Sequence, residues 1–206
     1  MTAVIDYDAG NIRSVEKALQ ALGEEVVVTR DKDIILHAER VILPGVGAFG
    51  DAMNKIRGYG LEEVIKEVVA KGTPFLGICL GLQLLFERSE ESKGVDGLGI
   101  LKGEILRIQD EPGLKIPHIG WNSLSYPNQG KLYQGISENS YVYFVHSYYL
   151  KAEEPDIVVA TAKYGRTMIH ASVEKENVFA CQFHPEKSSE VGLTILKNFI
   201  SIKKED

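Results

Sequence analysis

Hydrophobic residues in the first half of the chain follow two periodicities in turn. Short apolar runs rich in β-branched residues predict buried strands at residues 3–5, 25–29 and 41–43. Residues 11–22 and 61–69 instead repeat their apolar positions every three or four residues, which predicts amphipathic helices. Gly23 and Gly72 follow these segments, and glycine commonly ends a helix because it adopts left-handed backbone angles. This alternation predicts an open, mostly parallel sheet flanked by helices.

The second half of the chain consists mainly of short strand-like runs. They are predicted at residues 104–108, 141–150, 157–163, 169–174 and 178–183. Residues 175–177 are typical of a hairpin turn between the last two runs. A closing amphipathic helix is predicted where residues 191–200 place their apolar side chains on one face. We therefore expect additional antiparallel strands in the second half of a single α/β domain, residues 1–206.

The segment Gly77-Ile78-Cys79-Leu80-Gly81 is the most informative local motif. It joins a short apolar run to a second apolar segment, which predicts a buried strand, a sharp turn and a helix. A nucleophile between two glycines at such a turn is the elbow pattern, here with a thiol in place of the usual serine. The start of a helix favours the thiolate, which is the reactive form. The alternative is a thiol packed in the core, and the flanking glycines favour the nucleophile.

A second motif lies at the end of the last predicted strand, where His184-Pro185-Glu186 follows Phe183. A histidine there can act as a base toward a thiol that the fold brings near, and a carboxylate two residues away can orient the ring. Cys79, His184 and Glu186 are therefore predicted to be nucleophile, base and orienting group. The other cysteine, Cys181, has no such context and is predicted to pack in the core.

The remaining histidines have weaker sequence signals. His118 and His146 are each predicted to be hydrogen-bonded structural residues.

A glycine-rich loop at residues 44–50 contains the spacing G-x-G-x-x-G. A dinucleotide site is disfavoured, because a proline precedes the first glycine and the next strand ends at Cys79 instead of an acidic residue. We favour a loop of exposed amides, in which N–H groups near Val46 and Gly47, with that of Leu80, hold a developing oxyanion. The alternative is a tight strand-to-helix turn without a chemical role.

Composition narrows the range of functions. The chain carries 23 Lys and Arg against 29 Asp and Glu, a formal net charge of -6, and its basic residues are not clustered. Binding to nucleic acid or anionic membranes by bulk electrostatics is therefore not expected. The longest apolar stretch, residues 74–86, is too short to span a bilayer, and residues 1–6 lack a signal-peptide pattern. The two cysteines form no disulfide framework or metal-ligand spacing, so we expect a cytoplasmic protein without metal or cofactor.

Taken together, the elbow and the late His184-Pro185-Glu186 resemble the class I glutamine amidotransferases, over nearly the whole chain. Within that family, several segments resemble the glutaminase subunits of imidazole glycerol phosphate synthases. These segments are residues 44–50, 117–122, 143–148 and 184–189. One departure is Asp8, which follows Asp6-Tyr7 where the family usually has glycine.

The resemblance implies a reaction in which glutamine is hydrolysed to glutamate and ammonia. Cys79 would attack the side-chain amide carbon, His184 would move the proton, and Glu186 would hold His184. Water would then release glutamate from the thioester. By similarity, the glutamine pocket would be lined by Gln83, Glu91, Ser147 and Tyr148.

The resemblance also implies a partner, a (β/α)8-barrel cyclase that forms a heterodimer with the glutaminase. It would use the ammonia with a phosphorylated ribulosyl-formimino intermediate, giving imidazole glycerol phosphate and an aminoimidazole carboxamide ribotide in histidine biosynthesis. The partner-facing positions by similarity are Asn11, Trp121, Tyr143 and Lys187. Core packing of Trp121 and simple solvent exposure of Lys187 are the alternatives.

Three other functions remain open from the residues. They are a class I glutaminase that serves a different synthase, a cysteine hydrolase or peptidase acting alone, and a binding module with an inactive elbow.

Overall fold

A seven-stranded sheet forms the centre of the protein, with two smaller sheets beside it. A computed structural model describes residues 1–204. Its strands are β1 Thr2–Ile5, β2 Val26–Thr29, β3 Arg40–Leu43, β4 Phe75–Ile78, β5 Arg88–Ser89, β6 Gly103–Arg107, β7 His118–Ser123, β8 Tyr141–His146, β9 Tyr148–Ala152, β10 Val158–Tyr164, β11 Thr167–Lys175 and β12 Val178–Cys181. Its α-helices are α1 Ile12–Ala21, α2 Lys32–His37, α3 Phe49–Gly58, α4 Glu62–Ala70, α5 Leu80–Leu84 and α6 Ser189–Ser201.

The central sheet has the strand order β10-β11-β12-β4-β3-β1-β2. The strands from β12 to β2 run parallel, and β11 and β10 extend one edge in antiparallel pairing. The predicted open, mostly parallel sheet with antiparallel additions is therefore confirmed. In parallel register, Ile78 of β4 lies opposite Cys181 of β12, and Leu43 of β3 lies opposite Gly77. The loops that follow β3, β4 and β12 consequently leave the same edge of the sheet, where ligands bind in open α/β folds.

Helices cover both faces of this sheet because its central strands are apolar on both sides. Side chains of α3 and α4, such as Met53 and Ile65, pack with Ile5 on one face. Side chains of α1 and α6, such as Leu19 and Phe199, pack with Val4 on the other face. Adjacent residues of β1 thus enter different cores, as the alternation of a strand requires.

The structure differs from the predicted elements in several places. Helix α3 and strands β5 and β7 were not among the predicted elements. The short helix α2 has no apolar periodicity long enough to detect; Asp31 begins it by accepting hydrogen bonds from the N–H groups of Asp33 and Ile34. The single strand predicted at 141–150 is two strands separated by Ser147. β8 pairs with β7 in a two-stranded ribbon, whereas β9 pairs with β6 in a different sheet. The chain therefore passes from one sheet to another at Ser147, and the hydrophobic pattern does not mark this change.

Candidate active site

Cys79 lies at a strained turn between β4 and α5. Its φ is 55° and its ψ is -108°, angles that a non-glycine residue rarely adopts. Its N–H donates to Cys181 O at 2.8 Å, which ties the turn to the end of β12. A Cβ atom on Gly81 would lie 1.8 Å from Leu43 O, so only glycine permits α5 to pass this close to β3. The elbow therefore depends on the small neighbour that the motif supplies.

His184 and Glu186 lie directly after β12, the parallel neighbour of β4. His184 Nδ1 donates to Glu186 Oε1 at 2.8 Å. Burial opposes a charge on the His184 ring, but hydrogen bonds with Cys79 and Glu186 outweigh it and raise the pKa of His184 to about 10. This environment favours the imidazolium, the form that a histidine takes after accepting a proton from a thiol.

Asn11 occupies an unexpected position. Its side-chain amide donates to Glu186 Oε1 at 2.5 Å, so this oxygen accepts from both Asn11 and His184. The other carboxylate oxygen, Oε2, is buried and has no partner among residues 1–204. The sequence interpretation placed Asn11 at a partner surface, and nothing in its local sequence indicated the contact with Glu186.

A cavity of about 410 Å³ opens beside the elbow. Its wall includes most of the predicted site residues and three residues that were not predicted to line the site. The predicted ones are Val46, Gly47, Cys79, Leu80, Gln83, Glu91, Ser147, Tyr148, His184 and Lys187, and the additional ones are Pro117, Val145 and His146. Asn11, Trp121, Tyr143 and Glu186 lie outside this wall.

The loop after β3 lies against the elbow. Gly47 has a φ of 101°, and Val46 is exposed. The N–H of Leu80, predicted to hold an oxyanion, donates instead to Gly45 O at 3.3 Å. Tyr7 fixes the start of the loop by donating its hydroxyl to Pro44 O at 2.8 Å. In this arrangement the N–H of Leu80 is already hydrogen-bonded to the carbonyl of Gly45.

Two of the predicted pocket residues also hold the surrounding structure. Glu91 Oε2 accepts from the N–H of Phe49 at 2.8 Å and so caps the start of α3. Gln83 donates its amide to Tyr148 O at 3.1 Å. The pocket is therefore built from groups that α3, α5 and β9 position jointly.

The ribbon of β7 and β8 exposes an apolar face. Trp121 is 52% exposed, so its core alternative is wrong; its ring meets that of Tyr143 edge-on with centroids 5.9 Å apart. The cross-strand register places Trp121 opposite Tyr143 and Ile119 opposite Val145. Exposed apolar side chains on this ribbon are Ile119, Trp121, Tyr141 and Val145. Lys187 is also exposed.

The backbone of Tyr143 connects this ribbon to His184. Tyr143 O accepts from the N–H of His184 at 3.0 Å, and its own N–H donates to Ser188 Oγ at 2.9 Å. Ser188 Oγ in turn donates to His184 O at 2.6 Å. The apolar ribbon and the turn that carries His184 therefore form one hydrogen-bonded unit.

Two histidines predicted to be structural are buried and joined to each other. His118 Nδ1 and His146 Nε2 are 2.9 Å apart, and His146 Nδ1 lies 2.8 Å from Tyr148 O. Burial lowers the pKa of His118 to about 4 and that of His146 to about 3, so both rings are neutral near pH 7. Their prediction as hydrogen-bonded histidines is confirmed, as is the burial of Cys181.

Over residues 1–204, no helix is both long and apolar enough to cross a membrane. Within the same range, no group of His, Cys, Asp and Glu side chains is arranged to hold a metal ion.

The parallel sheet, the thiol at a strand-to-helix elbow and the histidine–carboxylate pair after the adjacent strand define a class of α/β proteins with an elbow cysteine. The family model for class-I glutamine amidotransferases matches residues 3–202. The chain belongs to the class-I glutamine amidotransferase family.

Relatives in this family are similar over nearly their full length. A protein of Bacillus cereus named imidazole glycerol phosphate synthase subunit HisH is 54% identical over 97% of this chain and 93% of its own. Its namesake in Thermosynechococcus vestitus is 48% identical over 98% and 97%. Among solved structures, a glutamine amidotransferase superposes with a TM-score of 0.75 at 21% identity, covering 97% of both chains, which supports the fold.

Proposed function

We propose that this chain is the glutaminase subunit of imidazole glycerol phosphate synthase in histidine biosynthesis. The observation that carries the proposal is the placement of Cys79, at a strained elbow, in one cavity with His184. The near full-length similarity to proteins named as that subunit selects this synthase from the wider family.

In the proposed reaction, Cys79 attacks the side-chain amide carbon of glutamine. His184 accepts the thiol proton and delivers it to the leaving nitrogen, which departs as ammonia. Glu186 stabilises the charged ring through Nδ1, in keeping with the raised pKa of His184. Water then attacks the thioester, with His184 as base, and releases glutamate. No metal or cofactor takes part.

The oxyanion of the tetrahedral intermediate is assigned to the amides of Val46, Gly47 and Leu80. For Leu80 to contribute, its N–H must exchange Gly45 O for the substrate oxygen. The long 3.3 Å hydrogen bond and the left-handed Gly47 support the proposal that this loop rearranges. We infer that docking of the partner triggers the exchange, which would keep the isolated chain nearly inactive.

Glutamine is proposed to bind with its charged end against Gln83, Glu91, Ser147 and Tyr148. A cavity of about 410 Å³ accommodates one small amino acid with room for solvent. The carboxylate of Glu91 suits the substrate ammonium, because opposite charges attract strongly in a partly enclosed cleft.

The partner is proposed to be a (β/α)8-barrel cyclase, joined as a heterodimer in the cytoplasm. The exposed Trp121 and the adjoining Tyr143 provide an aromatic anchor typical of protein interfaces, and Lys187 adds a charge at the cavity mouth. Both cysteines are free, which fits a reducing compartment. Ammonia would pass to the cyclase without release, because protonation in water removes its nucleophilicity.

A glutaminase assay tests the proposal with the chain alone, with the cyclase, and with the cyclase and its ligand. We expect the cyclase and its ligand to stimulate hydrolysis strongly, and Cys79→Ala to abolish it while complex formation persists. Cys181→Ala is the matched control and should retain turnover. Stimulation only by a different synthase would support the related glutaminase, and full activity without any partner would support a hydrolase acting alone. If no synthase supported glutamine turnover, the result would favour a binding module with an inactive elbow.

A further inference from the structure

Gln182 is fully buried beside Cys79, and neither the elbow motif nor the histidine–carboxylate pair gives it a role. Its Nε2 donates toward Cys79 Sγ at 3.7 Å, within the range of hydrogen bonds to sulfur. We propose that Gln182 is a positioning residue for the Cys79 sulfur, holding it and favouring its anionic form through this N–H. The assignment deepens the proposed function, since it rests on Cys79 being the nucleophile.

The direction of the Gln182 amide follows from the groups around it. Gln83 Nε2 donates to Tyr148 O at 3.1 Å and to Gln182 Oε1 at 3.0 Å. A backbone carbonyl only accepts, so Tyr148 O requires the NH2 end of Gln83 to face it. Gln182 must then present its oxygen to Gln83 and its NH2 group to Cys79. One carbonyl thus fixes the orientation of both buried amides.

The Tyr148 carbonyl is itself held by a second donor. His146 Nδ1 lies 2.8 Å from it and must carry a proton to bond with it. His146 Nε2 is then an acceptor and accepts a hydrogen bond from the N–H of His118 Nδ1 at 2.9 Å. His118 is stacked between Phe144 and Tyr164, with ring centroids 4.7 and 3.9 Å away. The Tyr148 carbonyl, which orients the amides of Gln83 and Gln182, is therefore held by hydrogen bonds from both Gln83 and His146.

The sulfur has a different contact on its other side. Cys79 Sγ lies 3.9 Å from Val145 O, an acceptor that suits the neutral thiol. A thiolate has no proton to give to this carbonyl and needs donors instead. Besides His184, the side chain of Gln182 provides such a donor without being exposed to water, so it acts in a site of low dielectric. The pair of contacts therefore distinguishes the two protonation states of Cys79.

Alkylation of Cys79 by iodoacetamide, followed by peptide mass spectrometry, tests this role in the full chain without glutamine or partner. Gln182→Met keeps the side-chain volume and removes the N–H. We expect its alkylation rate at pH 7 to fall about tenfold, and the pH of half-maximal rate to rise by about one unit. Ser172→Ala is the control, since it removes a buried hydrogen bond to Ala180 O on β12 that does not reach Cys79. An unchanged rate and profile in Gln182→Met would overturn the proposal.

A double-mutant cycle tests the link to Gln83. Gln83→Met frees Gln182 to rotate, so it should slow alkylation, and the double variant should be no slower than Gln182→Met alone. If the two substitutions slowed alkylation additively, Gln83 would not act by orienting Gln182. If Gln182→Met does not fold, the side-chain 15N resonance of Gln182 in the unmodified chain gives the answer. It should shift across the pH range of Cys79 alkylation while that of exposed Gln134 stays constant, and no shift would count against the contact.

These measurements separate the two levels of inference. Altered alkylation in Gln182→Met with no glutaminase activity in any complex would sink the proposed function and leave the positioning role intact. Normal alkylation in Gln182→Met, together with hydrolysis of glutamine by the chain in complex with the cyclase, would overturn the positioning role and leave the proposed function intact.

Discussion

Asn11 donates its side-chain amide to Glu186 Oε1 over 2.5 Å, although 175 residues separate the two along the chain. The same oxygen accepts from His184 Nδ1 at 2.8 Å. The loop after β1 therefore helps to hold the carboxylate that orients the histidine. This loop and the turn after β12 meet because parallel strands end at the same edge of the sheet.

Asn11→Gly should weaken glutamine hydrolysis about tenfold, because a hydrogen bond to a charged group contributes about 1.5–3 kcal/mol. Glycine suits the position, since Asn11 has a φ of 70°. Asn139→Gly is the matched control, because Asn139 is exposed and has a φ of 64°. Steady-state assays of the complex, with thermal unfolding of both variants, provide the measurement. Equal activities in the two variants would contradict a role for Asn11 at Glu186.

Glu186→Gln should lower the pKa of His184 from about 10, because it removes the negative charge that favours the imidazolium. The measurement is an NMR titration of the ring in both proteins. Because folding raises this pKa above the ordinary value, the stabilisation is complete below about pH 6.5 and is lost as pH rises through about 10. The decline in stability between these pH values should be smaller in Glu186→Gln. An unshifted ring titration would show that Glu186 does not support the charge.

Trp121→Ala should weaken binding of the cyclase by about 2 kcal/mol or more, since exposed aromatic anchors dominate interface energies. Met168→Ala removes a side chain of similar exposure, 51% against 52%, from β11 outside the ribbon. Isothermal titration calorimetry of both variants compares them directly. Equal affinities would place the partner elsewhere on the surface.

Gly81→Ala should destabilise the fold by about 1–3 kcal/mol or more, because its Cβ would meet Leu43 O at 1.8 Å. Gly58→Ala adds the same atom in helix α3, where the new Cβ would meet no atom within 4 Å apart from the backbone of its own helix, and should leave stability unchanged or raise it by about 0.5–1 kcal/mol. Urea unfolding of the two variants gives the comparison. Similar stabilities of the two variants would mean that the backbone around the elbow shifts to accommodate the added methyl group at little cost.

The local pattern of apolar and glycine residues predicted the sheet class and the elbow, because both depend on residues that are close together in the sequence. Apolar periodicity marks β1, α1 and β4, and the spacing of Gly77, Cys79 and Gly81 marks the sharp turn. Helices α2 and α3, strand β7 and the break at Ser147 were not predicted. Helix α2 has only six residues, which give too little periodicity, and the first residues of α3 were assigned to the glycine-rich loop. The change of sheet at Ser147 leaves the apolar pattern intact.

The sequence by itself determined which residues are candidates for the chemistry, since Cys79 and the His184-Pro185-Glu186 segment stand out by their local spacing. Only the tertiary structure decided what surrounds them. The contact of Asn11 with Glu186, the contact of Gln182 with Cys79, and the Leu80 amide held by Gly45 O all join segments far apart in the chain. Their physical cause is the strand order, which brings together ends that no local periodicity relates.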